Sequence, residues 1–164
     1  MKIELKKIEH MDRNSEETAC YVAQVWVDGK HMVDVSNDGH GGCDHQNGAN
    51  GYTWKDIENL NARIAAEYPS PFTIEGKPVP SDLEIVCGDL LTEHLFAKDL
   101  KRAMSRKMLF VSPKNDGIRC VGFKASRLPT KTALFSEWMG KYPKDTILNC
   151  LPFDKALAIY RANG

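Results

Sequence analysis

The sequence predicts an α+β domain: a mainly antiparallel sheet built from two hairpins, with about four helices packed on it. Strand-type alternation collects into two local hairpins, over 19–35 and 108–124. Helical periodicity is confined to separate stretches between and after them, so strands pair with sequence neighbours instead of through βαβ crossovers. The 164 residues contain no internal repeat, low-complexity tract or long linker, which predicts a single domain over 1–164.

Residues 3–8 read as a first strand. Residues 19–27 alternate and are rich in β-branched and aromatic side chains, and Asp28-Gly29 is a strong turn signal before a return strand at 31–35. Two registers compete. A two-residue turn pairs Trp26 with His31, whereas a three-residue loop places Tyr21, Ala23, Val25, Val27, Val33 and Val35 on one face. Because a one-residue slip exchanges the faces, burial favours the second.

Thr53 to Asp56 reads as a capping box, followed by Trp54, Ile57, Leu60, Ile64 and Tyr68 at helical spacing until Pro69. Residues 70–80, with three prolines and a glycine, read as a connection. Ser81 to Glu84 reads as a second capping box, leading a helix through Val86, Leu90, Leu91, Leu95, Leu100 and Met104. Its last turns carry Lys101, Arg102, Arg106 and Lys107, where cations complement the helix dipole. His94 reads as a partly buried histidine of this helix. Residues 108–111 and 118–124 form the second hairpin around a turn at 113–117. Residues 132–139 read as a helix closed by Gly140, 146–150 as a last strand, and 152–161 as a helix opened by proline.

Apolar residues at 42% and charged residues at 27% are globular values that exclude a disordered chain. A domain of this size buries roughly 68–70% of its unfolded surface, enough for a core without metal or disulfide. No apolar run approaches the ~18 residues of a membrane span, so no membrane partner is expected, and residues 1–7 lack the apolar stretch of a signal peptide. Cys20, Cys43, Cys87, Cys120 and Cys150 contain no C-x-x-C pair. All but Cys43 sit in apolar patterned segments, where a thiol acts as a small hydrophobe. Reduced thiols and a cytoplasmic location follow.

The segment 36–51 stands apart. Five of the 12 glycines and two of the five histidines fall within it, between a strand end and a helix start, where binding loops are often mounted. Three readings of it stand open: a plain connection, a ligand-binding backbone nest over Asn37, Asp38, Gly39, His40, Gly41 and Gly42 that would cradle an anion, and a metal site. For the last, Asp38, His40, Cys43, Asp44 and His45 supply five potential ligands within eight residues, of types that suit zinc. No Walker or dinucleotide fingerprint is present.

The segment Val27-Asp28-Gly29-Lys30, followed by Val35-Ser36-Asn37-Asp38-Gly39-His40-Gly41-Gly42, resembles small uncharacterised proteins of phages and prophages. They look similar in an alternating strand, a D-G-K turn and a V-S-N-D-G-H-G-G run. The likeness spans about the first third of the chain. It implies an accessory protein at work inside a bacterial host cell, and it brings no assigned catalytic residues.

The neutral total charge hides an asymmetry. Residues 1–97 carry 8 Lys+Arg against 17 Asp+Glu, a net of −9, and residues 98–131 carry 10 against 2, a net of +8. Lys101, Arg102, Arg106, Lys107, Arg119 and Lys124 are therefore candidate nucleic-acid contacts, with Phe110 and Phe123 as stacking partners; alternatively the block pairs with the acidic half of the chain. The leading expectation is a binding protein that contacts a host protein, a nucleic acid or a small ligand through the Gly/His loop. The alternative is a metal- or phosphate-dependent, hydrolase-like enzyme or a nucleotide-binding protein centred on the same loop.

Overall fold

The computed structural model describes residues 1–68, 73–113, 115–123 and 130–163. Pro69, Lys114, Lys124 and Arg127 lie outside the described residues. The fold is α+β; the described residues form four α-helices, and all their strand pairing is antiparallel. Its two main hairpins belong to separate sheets, and the chain divides into two compact units, Met1–Thr92 and Glu93–Gly164.

The first unit is built on the meander β1 (Ile3–His10), β2 (Tyr21–Val27), β3 (Lys30–Asn37) and β4 (His45–Gly48), paired in that order. Asp28 and Gly29 both take positive φ (+48° and +82°), the turn backbone that matches strand twist. Val27 therefore pairs with Lys30 and Trp26 with His31, as a two-residue turn requires. Met32 then bulges, so that Val25 meets Val33 and Ala23 meets Val35. Both competing registers are thus present, one on each side of the bulge. The bulge brings Tyr21, Ala23, Val25, Val27, Val33 and Val35 all into the interior.

Helix α1 (Trp54–Glu67) opens with the expected capping box, Thr53 N–H donating to Asp56 Oδ2 at 2.7 Å. Ile57, Leu60 and Ile64 form its buried stripe. Each such side chain contributes about 1.5–3 kcal/mol through burial. Trp54 departs from the expected stripe: it is 63% exposed, its indole N–H on Glu58 at 3.0 Å. The connection 70–80 contains a small hairpin, β5 (Thr73–Ile74) and β6 (Lys77–Pro78), turning on Glu75 and Gly76, both at positive φ.

Helix α2 (Leu83–Arg106) starts under Asp82, whose Oδ1 accepts the Ile85 N–H at 2.9 Å. The cap is Asp82, not Ser81, which is buried. Leu83 N–H donates to Asn61 Oδ1 of α1 at 2.8 Å, and Leu83 and Cys87 complete the first unit's core. His94, expected to be partly buried, is exposed.

In the second unit α2 passes into β7 (Lys107–Ser112) without a loop, so Lys107 is a strand residue. The sheet order is β8 (Asn115–Gly122), β7, β9 (Thr146–Ile147). Alternate residues of β7 face two clusters. Met108 and Phe110 pack with Leu134 and Ile147, on the side of α3 (Lys131–Lys141). Leu109 packs with Leu100, Leu148 and Ala156, on the side of α4 (Phe153–Asn163) and the end of α2. Asn149 joins helix end to strand: its Oδ1 accepts from Leu109 N–H at 2.8 Å, and its Nδ2 donates to the Met104 and Lys107 carbonyls at 3.1 Å each.

Three local expectations are corrected here. Helix α3 runs through Gly140 to Lys141, ahead of Pro143, and the strand at 146–150 is two residues long before a 3-10 turn, Leu148–Cys150. All five thiols are free, but only Cys20 and Cys87 are buried; Cys120 and Cys150 join Cys43 at the surface. No described helix is long and apolar enough to cross a membrane.

Candidate functional site

The 36–51 segment is not one open loop. Strand β4 occupies residues 45–48 and pairs with β3 through Ser36–His45, Val35–Gln46, Asp34–Asn47 and Val33–Gly48. Gly48 permits the close return of the chain, because a Cβ there would lie 2.0 Å from the Tyr52 carbonyl oxygen. The connection proper is residues 38–44.

That connection is organised by Asn37, the buried last residue of β3. Its Oδ1 accepts from Thr18 Oγ1 at 2.7 Å and from Gly39 N–H at 2.9 Å. Its Nδ2 donates to the Gly42 carbonyl at 3.3 Å and to Asp44 Oδ1 at 3.1 Å. A primary amide offers two donors and two acceptor lone pairs, and here all four are used. Gly39 is buried at φ +90°, and its carbonyl accepts the amides of Glu16, Glu17 and Thr18 at 3.0–3.3 Å. A Cβ at Gly39 would lie 2.1 Å from the Asn14 carbonyl oxygen, so this position tolerates no side chain.

Two further amides are also engaged. His40 N–H donates to Asp38 Oδ1 at 3.1 Å and Gly41 N–H to Thr18 Oγ1 at 3.3 Å. Three amides of the expected nest, those of Gly39, His40 and Gly41, therefore point at oxygens of the chain itself. Carboxylates also crowd the place. His40 Nδ1 lies 3.3 Å from Glu16 Oε2, and a Cβ on Gly41 would lie 2.6 Å from Glu17 Oε2. Their field opposes a bound phosphate.

The expected metal ligands separate. Asp38 caps the turn, His40 faces Glu16, Asp44 accepts the buried Tyr21 hydroxyl, and His45 is exposed on β4. Cys43 is set against Glu84 of α2. Among the described residues no group of three or more His, Cys, Asp or Glu side chains is placed to hold a metal ion.

The electrostatics disfavour a nucleophile. The Glu84 carboxylate beside Cys43 raises its thiol above the usual range, which suppresses the reactive thiolate. Burial raises the Cys87 thiol, with the charges of Asp44, Asp82 and Glu84 adding to it. Burial and then the Asp44 bond raise the Tyr21 hydroxyl. Glu84 itself is raised, first by burial and then by the charge of Asp44. Sequence reasoning missed Thr18, Glu16, Glu17, Tyr21 and Glu84, which reach the loop from other elements and carry no local signal of that role.

The candidate nucleic-acid contacts do not form one patch. Lys101 lies over the Phe153 ring at 5.0 Å, on the Leu109 side of the second sheet, whereas Arg119 stands opposite Phe110 on the other side. Arg102, Arg106 and Lys107 are exposed, and Lys124 is outside the described residues. Phe110 is 6% exposed and packs inward, so it offers no free face to a base. Phe123 is half-buried against Phe135, with the Lys131 ammonium over its ring at 4.5 Å. No family model, curated protein or solved structure matches the chain.

Proposed function

We propose that this protein acts by binding rather than by turnover, and that residues 38–44 form its contact surface for a basic segment of a host protein. The observation that carries the reading is the fourfold engagement of Asn37, which fixes the loop from within. A loop whose Gly39, His40 and Gly41 amides are already bonded presents a preformed shape, so little ordering entropy opposes association. Its exposed side chains are those of Asp38, His40 and Cys43, beside Glu16 and Glu17. The first unit carries 8 Lys+Arg against 16 Asp+Glu, a negative surround that favours a cationic partner. The likeness of this segment to small phage and prophage proteins supports a role inside a bacterial host cell.

Two measurements test this. Affinity capture from bacterial lysate, with Asp38→Asn combined with Glu16→Gln as the comparison, should retain a partner on the wild-type chain and lose it on the equally folded variant. An identical captured set from both would refute the loop as the contact. Native mass spectrometry of protein purified without chelator should show the bare chain mass. A metal or nucleotide mass that disappears on His40→Ala with His45→Ala would instead establish a ligand-dependent site in the loop.

A further inference from the structure

The second unit contains a cavity of about 470 Å³ that the loop reading does not use. Its walls include Phe110, Trp138 and Tyr142, and its described lining carries the cations Arg119, Lys141 and Lys144. The volume lies within the range of small-molecule sites, roughly 300–1,000 Å³.

The sequence builds this place locally. Trp138 and Tyr142 are four residues apart at the end of α3, so their rings fall on one face. Tyr142 N–H donates to the Trp138 carbonyl at 2.7 Å, closing the helix before Pro143. The rings form a ladder, with Phe110 to Trp138 centroids at 4.6 Å and Trp138 to Tyr142 at 4.7 Å. Its inner rung is buried, whereas Tyr142 at the outer end is 48% exposed. A half-exposed ring ending a fixed aromatic ladder is a stacking platform. Asp145, the carboxylate among the described lining residues, is buried and accepts the Trp138 indole N–H at 3.1 Å. It thereby locks the indole plane.

The charges set the other half of the ligand. Arg119 is the direct cross-strand partner of Phe110, on the face that bears the ladder, and it is exposed, as is Lys144. Lys141 is held by Glu137 one helical turn away. Arg119 and Lys144 therefore supply the positive field, and a guanidinium matches a phosphate in shape as well as charge.

We propose that this cavity binds a nucleotide, its base stacked on Tyr142 and its phosphate held by Arg119 and Lys144. The same chemistry is offered by a free mononucleotide and by one nucleotide of a single strand, and the test separates them. Adenosine monophosphate, adenosine and inorganic phosphate are titrated calorimetrically into the full chain. The monophosphate should bind in the sub-millimolar range and adenosine about tenfold more weakly. Arg119→Gln, an exposed change that leaves the fold in place, should weaken the monophosphate by about tenfold and leave adenosine unaltered. Tyr142→Ala should weaken both, and Tyr142→Phe should restore them. His40→Ala, in the other unit, should change nothing, which keeps this site distinct from the loop. A short oligoadenylate that binds more tightly than the monophosphate, with steep salt dependence, assigns the ligand to a strand; equal or weaker binding assigns it to the free nucleotide. No heat with millimolar monophosphate, or binding indifferent to both Arg119→Gln and Tyr142→Ala, overturns the proposal.

Discussion

Replacing Asn37 by alanine removes four hydrogen bonds at once. The Gly39 amide is buried, and stranding such a donor costs about 1–3 kcal/mol. Thr18, Gly42 and Asp44 are half-buried or exposed, so water can replace their partner, and each forfeits roughly 0.5 kcal/mol. The expected loss is about 3 kcal/mol, which lowers the urea midpoint by about 1.5 M at a slope of roughly 2 kcal/mol/M. Asn37→Asp is the sharper companion. It keeps the acceptor for Thr18 and Gly39 but replaces the Nδ2 donor with a carboxylate oxygen where Asp44 Oδ1 lay 3.1 Å away. Two charges ~4 Å apart repel by up to about 4 kcal/mol at an effective dielectric of ~20. That repulsion raises the folded-state pKa of the pair, so the penalty is present above that pKa. It fades as pH falls through it, because the protonated oxygen then donates to its neighbour. Urea melts of both variants at neutral and mildly acidic pH provide the assay. A loss below about 0.5 kcal/mol for Asn37→Ala, or an Asn37→Asp penalty that ignores pH, would refute the view that this amide organises the loop.

Two further outcomes follow from neighbouring geometry. Gly39→Ala forces a Cβ to within 2.1 Å of the Asn14 carbonyl at φ +90°, and should destabilise the chain by at least about 2 kcal/mol in the same melts; an unchanged midpoint would mean that residues 14 and 39 do not meet. Since Glu84 raises the Cys43 thiol, Glu84→Gln should speed iodoacetamide alkylation of Cys43 at neutral pH, followed by peptide mass spectrometry. A slower reaction would place the thiol away from Glu84.

The alternating strands were readable because each residue's face is a local property. Tyr21 to Val35 needed only period two and a turn signal, and burial then chose which set went inward. The bulge at Met32 was not readable, since it reconciles a turn preference with a burial preference that conflict over one residue. Strand β4 was hidden for a different reason. His45-Gln46-Asn47-Gly48 has little strand propensity, and its pairing is supplied by the backbone of β3. Trp54 shows the limit of periodicity, which identifies a stripe but not how far along the helix its cover extends. The unusual composition of 36–51 coincides with the connection that Asn37 organises. Its meaning lay in Thr18, Glu16, Glu17 and Glu84, brought there by tertiary structure. The ladder at Trp138 and Tyr142 carried a sequence signal, two aromatics one turn apart before a proline and flanked by lysines, but not its distant members Phe110 and Arg119.

The strand order β1-β2-β3-β4 leaves β1 and β4 as the margins of the first sheet. Unpaired margins invite foreign strands, and proteins blunt them by brevity, charge or local distortion. Strand β4 is four residues long and carries no aliphatic side chain. Strand β1 carries Lys6 and Lys7, and Lys7 takes φ +50° where the pairing slips between Lys6 and Glu9. Both margins are therefore poor templates for intermolecular pairing. For β4 the protection lies in its brevity, since a four-residue margin offers few backbone groups to a foreign strand.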